Sequence, residues 1–186
     1  PPVGWSWLAW IGPTPWIMLV RCQSLPGKRP YVALWLAGTC FWLATIQWIR
    51  LPHPGNLVAW VLLSVYLGAY LPLFVALTRA VRRAAGAPVW AAAPIVWTGL
   101  ELVRAHLFTG FLMASLAHTQ VGHPIMLQVA RLAGEYGVTF LIVLVAGAIA
   151  EAAPIAWIEN GHRDDDRGVL RHWRPLRLAP AGGALV

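Results

Sequence analysis

WTGLELVRAHLFTGFLMASLAHTQVGHPIMLQ, residues 97–128, is the stretch around which the chain is organised. A long apolar run enters it, yet Glu101 and Arg104 sit three residues apart inside it. On a helix that spacing shares one face, so the two side chains can pair. The run breaks at Thr109-Gly110, polar positions Gln120 and Gln128 follow, and the chain then turns apolar again. An ionisable side chain at the edge of a hydrophobic span is costly, which marks this region as the candidate functional site.

The composition says what surrounds it. Of 186 residues, 59% are hydrophobic and 11% charged, and the mean hydropathy is +0.62. Soluble domains carry about 25% charged residues. The class is therefore an all-α polytopic membrane protein, with the lipid bilayer as its solvent. A net charge of +7 raises nucleic acid as a partner. That reading is excluded, because the basic residues flank apolar runs and no groove-reading motif is present. Cys22 and Cys40 are too few for a disulfide framework and lack zinc-ligand spacing, so neither a metal nor a cofactor is expected.

A spanning helix needs about 20 mostly apolar residues. Five segments qualify: 3–20, 31–49, 57–77, 88–107 and 136–153. A sixth apolar segment starts at 176. The fold class is thus a bundle of five complete transmembrane helices plus the start of a sixth. Gly12-Pro13 and Pro15 should kink the first, and Arg50-Leu51-Pro52-His53-Pro54-Gly55 should turn the chain between the second and third. The chain begins Pro-Pro rather than Met and stops just as it turns apolar. Truncation at both ends is the expectation. Loops 21–30, 79–87 and 159–177 hold eleven of the fourteen Lys and Arg residues. By the positive-inside rule these loops are cytoplasmic, and region 108–134 lies on the outer side. The acidic triplet Asp164-Asp165-Asp166 reads as a solvated loop.

Two readings stand for Glu101 and Arg104. They form a structural ion pair that fixes helix packing, or they face a cavity and engage a phospholipid head group, to which a guanidinium fork offers two parallel hydrogen bonds. Thr109, Gly110 and Phe111 end the helix, with Gly110 as a left-handed cap and Phe111 as an interfacial anchor. The apolar residues 112–117 are too short to span and read as a re-entrant or interfacial segment. His118 and His123 show no carboxylate partner, and Glu135 reads as a solvated helix start. Gly134 and Gly137 read as close-packing positions. Trp97, with Trp16 and Trp42, lies deep enough to be packing or the wall of a lipid groove. No thiol has a base nearby, the single lysine is Lys28, and no P-loop, G-x-S-x-G or H-E-x-x-H motif occurs. No complete active site, and no catalytic residue, is expected among these residues.

The segments W-T-G-L-E-L-V-R-A-H-L-F-T-G-F (97–111), H-T-Q (118–120) and P-I-M-L-Q-V-A-R-L-A-G-E-Y-G-V-T-F (124–140) resemble, in this order, the membrane domain of the apolipoprotein N-acyltransferase family. The matching positions are Trp97, Glu101 and Arg104; Thr109, Gly110 and Phe111; then Gln128, Ala130, Gly134, Gly137, Thr139 and Phe140. Where many members read G-F-P-W, this chain has Leu112-Met113 after Gly110-Phe111. The resemblance implies a bacterial inner-membrane acyltransferase of lipoprotein biosynthesis. Its partners would be a phospholipid acyl donor and a diacylglyceryl-modified apolipoprotein. It further implies a periplasmic nitrilase-like domain after residue 186, carrying a Glu, a Lys and a Cys that forms the acyl thioester. Competing readings are a small membrane transporter subunit, which should show internally repeated broken helices, and a non-catalytic membrane scaffold.

Overall fold

A computed structural model describes residues 5–107 and 110–154, and helices are the only regular elements among them. Thr109, the acidic triplet, loop 159–177 and the segment from 176 lie outside the described residues. A 3-10 turn, Trp5–Trp7, leads into α1, Leu8–Ile11, and α2, Thr14–Arg21. Then come α3, Pro30–Thr45, with a 3-10 turn at Gln47–Arg50, and α4, Asn56–Gly68. They are followed by α5, Tyr70–Ala85, and α6, Val89–His106. A 3-10 turn at Leu116–Gln120 precedes α7, Pro124–Ala152.

The breaks follow from proline and glycine chemistry. The first apolar stretch is divided at Gly12-Pro13. Pro72 has no N–H to give the Gly68 carbonyl and its ring crowds that oxygen, and α4 ends at Gly68. Pro30 and Pro124 open α3 and α7, where a missing N–H does no harm. Gly86 ends α5 in the left-handed region, with φ of 63°.

Two stretches are long and apolar enough to cross a membrane: Asn56–Ala85, formed by α4 and α5, and Pro124–Ala152. The segment expected at 57–77 thus runs on to Ala85, and that expected at 136–153 belongs to a helix beginning at Pro124. Reading apolar runs missed the first extension because Arg79, Arg82 and Arg83 continue α5 beyond its apolar part. The 16 residues of α3 rise about 24 Å, short of the roughly 30 Å hydrocarbon core. In α6, Glu101, Arg104 and His106 lower the apolar character of the second half.

One core cluster joins Ile17 and Val20 of α2, Leu34 of α3, Phe74 and Val75 of α5, Val89, Ala93 and Val96 of α6, and Val143, Ala146 and Ala150 of α7. The outside of the bundle is also apolar. Leu36 and Phe41 on α3, Val58 and Leu62 on α4, and Ile95 and Leu102 on α6 are all exposed. A water-soluble monomer rarely shows so much contiguous apolar surface.

Small residues set the closest helix approaches. A Cβ on Gly147 would lie 2.9 Å from Trp90 Cα, so α7 passes α6 backbone to backbone there. Gly134 acts differently. Its φ of 65° and ψ of −168° kink α7, and no atom would contact an added Cβ. It is a conformational hinge rather than a packing position. That backbone region is nearly exclusive to glycine and costs other residues of order 1–3 kcal/mol. Gly134→Ala is therefore expected to lower stability by about 2 kcal/mol or to straighten α7, read as a drop in the thermal midpoint. An unchanged midpoint would show that the kink is not needed.

Candidate functional site

The last turns of α6 carry Glu101 and Arg104 on one face, as their spacing requires, and both are only 8% exposed. Arg104 Nη2 lies 3.8 Å from Glu101 Oε1, a long approach for an ion pair. The other carboxylate oxygen accepts a hydrogen bond from Ser115 Oγ at 3.4 Å. Ser115 Oγ in turn lies 3.1 Å from Thr139 Oγ1 of α7 and accepts from the Ala117 N–H at 3.3 Å. The Arg104 guanidinium sits over the Trp42 ring of α3, 5.4 Å from its centroid. Arg104 Nε is buried and makes no hydrogen bond. The pair thus ties α6 to α3, to α7 and to the returning segment 110–120.

Beside the pair lies a cavity of about 410 Å3, within the roughly 300–1,000 Å3 range of small-molecule sites. Trp16, Trp42, Tyr70, Phe74, Trp97 and Leu100 form much of its wall, and Glu101 and Arg104 supply its charge. Exposed Trp5 and Phe41 also line it, so it opens to the outside of the bundle. The Phe74 and Trp97 rings meet edge-on at 4.9 Å, and Tyr66 and Tyr70 share a 2.7 Å hydrogen bond between their hydroxyls. All three deep tryptophans of the sequence, Trp16, Trp42 and Trp97, therefore wall this chamber as well as pack.

The other sequence candidates divide. Gly110 does take a left-handed conformation, with φ of 73°, and a Cβ there would collide with the Ala105 carbonyl oxygen. The next N–H, of Phe111, donates to the Arg104 carbonyl at 3.1 Å, turning the chain back over the end of α6. Phe111 packs edge-on against Trp42 at 5.9 Å. It is half-buried in the bundle, not an outward anchor. Gln128 does not line the chamber. It is exposed on the first part of α7 and accepts from Arg131 at 3.3 Å. The buried glutamine is Gln120, which donates to the Ser6 carbonyl at 2.9 Å and accepts from Trp10 Nε1 at 3.3 Å. His118 and Glu135, read separately as unpartnered and solvated, pair at 3.1 Å.

Sequence reading missed Ser115, Tyr70 and the contact of Thr139 with the pair. The available signal was weak: a lone hydroxyl inside an apolar segment. Among the described residues no three of His, Cys, Asp and Glu gather as metal ligands. Leu112 and Met113 are exposed, while the adjoining Ala114, with φ of 60°, lines the cavity.

Fold and site together define a helical domain with an apolar outside and an apolar chamber that carries one buried charged pair. The chain belongs to the apolipoprotein N-acyltransferase family: residues 1–148 match that family's N-terminal domain. It is 34% identical to the apolipoprotein N-acyltransferase of Rhodopirellula baltica, over 95% of this chain and 32% of that protein. The Geobacter metallireducens protein of the same name is 32% identical over 77% of this chain and 29% of its own length. For that of Pasteurella multocida the figures are 31%, 63% and 24%. The chain spans about a third or less of the length of these curated relatives. No solved structure matches it.

Proposed function

We propose that this chain is the membrane-embedded part of an apolipoprotein N-acyltransferase, and that its cavity receives an acyl chain of the phospholipid donor. The observation that carries the reading is the apolar chamber of about 410 Å3 with Glu101 and Arg104 on its wall. Aromatic and aliphatic walls suit a hydrocarbon tail. Arg104 is held by a stretched pair and keeps Nε unpartnered, so it has donor capacity left for a phosphate or ester oxygen. The exposed apolar faces of α3, α4 and α6 suit contact with lipid. In this reading five segments cross the bacterial inner membrane and a sixth begins at 176. Loops 21–30, 79–87 and 159–177 are cytoplasmic, and region 108–134 is periplasmic.

The chemistry belongs to a nitrilase-like domain that these residues do not contain. A cysteine thiolate there attacks the donor's ester carbonyl, forming a thioester and releasing the lysophospholipid. The free amine of the apolipoprotein's diacylglyceryl-cysteine then attacks the thioester carbonyl, forming the amide and returning the thiol. Glu101, Arg104, Trp97, Thr109, Gly110 and Phe111 serve to position the lipid and the returning segment, not to react. Gln128 lies outside the chamber.

The test is a chimera in which this chain replaces the matching segment of the Rhodopirellula baltica relative. N-acylation of a diacylglyceryl-cysteine lipopeptide is expected. Leu100→Trp, which narrows the chamber, is expected to slow it by at least about tenfold, equivalent to about 1.4 kcal/mol of transition-state stabilisation. A chimera that folds yet never acylates, or one indifferent to the narrowed chamber, would refute the reading.

A further inference from the structure

At the end of the bundle opposite Glu101, the end of α2 and the last turns of α5 line a cup of about 250 Å3. Its walls include Arg21, Arg79, Arg82, Arg83 and Gln23. Two of these arginines are occupied. Arg79 is buried and donates to the carbonyls of Leu19 at 3.2 Å, Cys22 at 2.7 Å and Gln23 at 2.9 Å. Arg21 donates to the carbonyls of Ala150 and Ala153 at the end of α7. Helix capping accounts for both.

It does not account for the other two. Arg82 reaches the Val20 carbonyl only at 3.4 Å, and its Nε is buried with no hydrogen-bond partner. Arg83 is exposed on the same turn of α5. Among the described residues no carboxylate forms an ion pair with any of the four. Glu151, on the last turn of α7, takes the Trp90 N–H at 3.2 Å instead. Each helix C-terminus offers about half a negative charge, so the ends of α2 and α5 offset about 1 of the four positive charges. Even with the Glu151 carboxylate on the neighbouring end of α7, positive charge stays in excess at a concave site with one orphaned buried donor.

We propose that this cup binds a phosphate group, with Arg82 and Arg83 as its principal ligands. Guanidinium forks match phosphate oxygens in geometry and charge, and basic pockets between helices at a membrane surface are natural headgroup sites. The phosphate is that of an anionic phospholipid or free inorganic phosphate. The site is remote from the acyl chamber and stands independently of the acyltransfer reading.

The experiment is thermal unfolding of the full chain in uncharged detergent micelles. Four conditions are compared at equal ionic strength: added phosphatidylglycerol, added phosphatidylcholine, inorganic phosphate, and chloride alone. A rise in midpoint of about 5 °C at saturation is expected. A rise with phosphatidylglycerol alone assigns a lipid headgroup, and a rise with inorganic phosphate assigns the free ion. Either rise should shrink by at least half in both Arg82→Gln and Arg83→Gln. Among the described residues Arg83 makes no hydrogen bond or ion pair, so its variant is expected to leave the fold intact and keeps the comparison valid even if Arg82→Gln is unstable. Equal midpoints in all four conditions, equal rises with the two lipids, or a rise that survives in Arg83→Gln would overturn the proposal.

Discussion

Replacing Arg104 by Ala is expected to destabilise the bundle by about 3–5 kcal/mol, because removing one partner of a buried pair strands the other charge. Glu101 would keep its hydrogen bonds, among them the one from Ser115 at 3.4 Å, but lose its only charged partner among the described residues, and Trp42 would lose the cation above its ring. Glu101→Gln should cost less, since an amide keeps the shape and can still accept from Ser115 Oγ. The double variant Glu101→Gln/Arg104→Met should recover most of the stability lost by Arg104→Ala, because neither charge is then buried. That variant separates the two readings of the pair. With the thermal midpoint near wild type, N-acylation by the chimera should still fall sharply if Arg104 holds the donor lipid. Full N-acylation by the stable double variant would reduce the pair to a packing device.

The second large effect is expected at the seam between α3 and α4. Gly38 and Gly68 face each other so closely that a Cβ on Gly38 would lie 2.7 Å from the Gly68 carbonyl oxygen. A Cβ on Gly68 would meet the Thr39 backbone nitrogen at 2.7 Å. Neither obstacle is a flexible side chain that can move aside. Gly68→Val should therefore push the helices apart and cost about 3 kcal/mol or more, at the upper end for overpacking. Trp42 and Leu67 lie along the same seam and line the chamber, so the damage should reach lipid binding too. Gly99→Ala is the control. Nothing lies within 4 Å of its added Cβ, and a helical glycine-to-alanine change should stabilise by about 1 kcal/mol. Equal midpoints for Gly68→Val and Gly99→Ala would contradict the close approach.

What could be read from the sequence was local. Glu101 and Arg104 lie three apart on one helix, so their pairing needed no tertiary information. The break at Gly12-Pro13 and the left-handed turn at Gly110 follow from the backbone chemistry of those residues. The family resemblance was also local, since its motifs are short and ordered. What escaped was contact across the chain. Trp42 reaches Arg104 from a different helix, and Ser115 reaches Thr139 across 24 positions. Gln128 and Gln120 have the same side chain, yet only the second is buried. Gln120 is turned inward by its contacts with Ser6 and Trp10, more than 100 positions away in the chain. Helix ends were misjudged where composition and conformation part company. The apolar run at 136–153 is conspicuous, but the helix begins earlier, at Pro124, in a half that faces outward with Ile125 and Leu132 exposed.

The central claim is that the chamber beside Glu101 and Arg104 holds an acyl chain. It is tested most directly by photo-cross-linking the chain, in phospholipid nanodiscs, with a phospholipid bearing a diazirine near the end of one acyl tail. Peptide mapping by mass spectrometry is expected to place adducts on Trp16, Phe74 and Trp97, and the Leu100→Trp variant should lose them. Adducts confined to outward-facing residues such as Leu36, Leu62 and Ile95, with none in the chamber, would contradict the account.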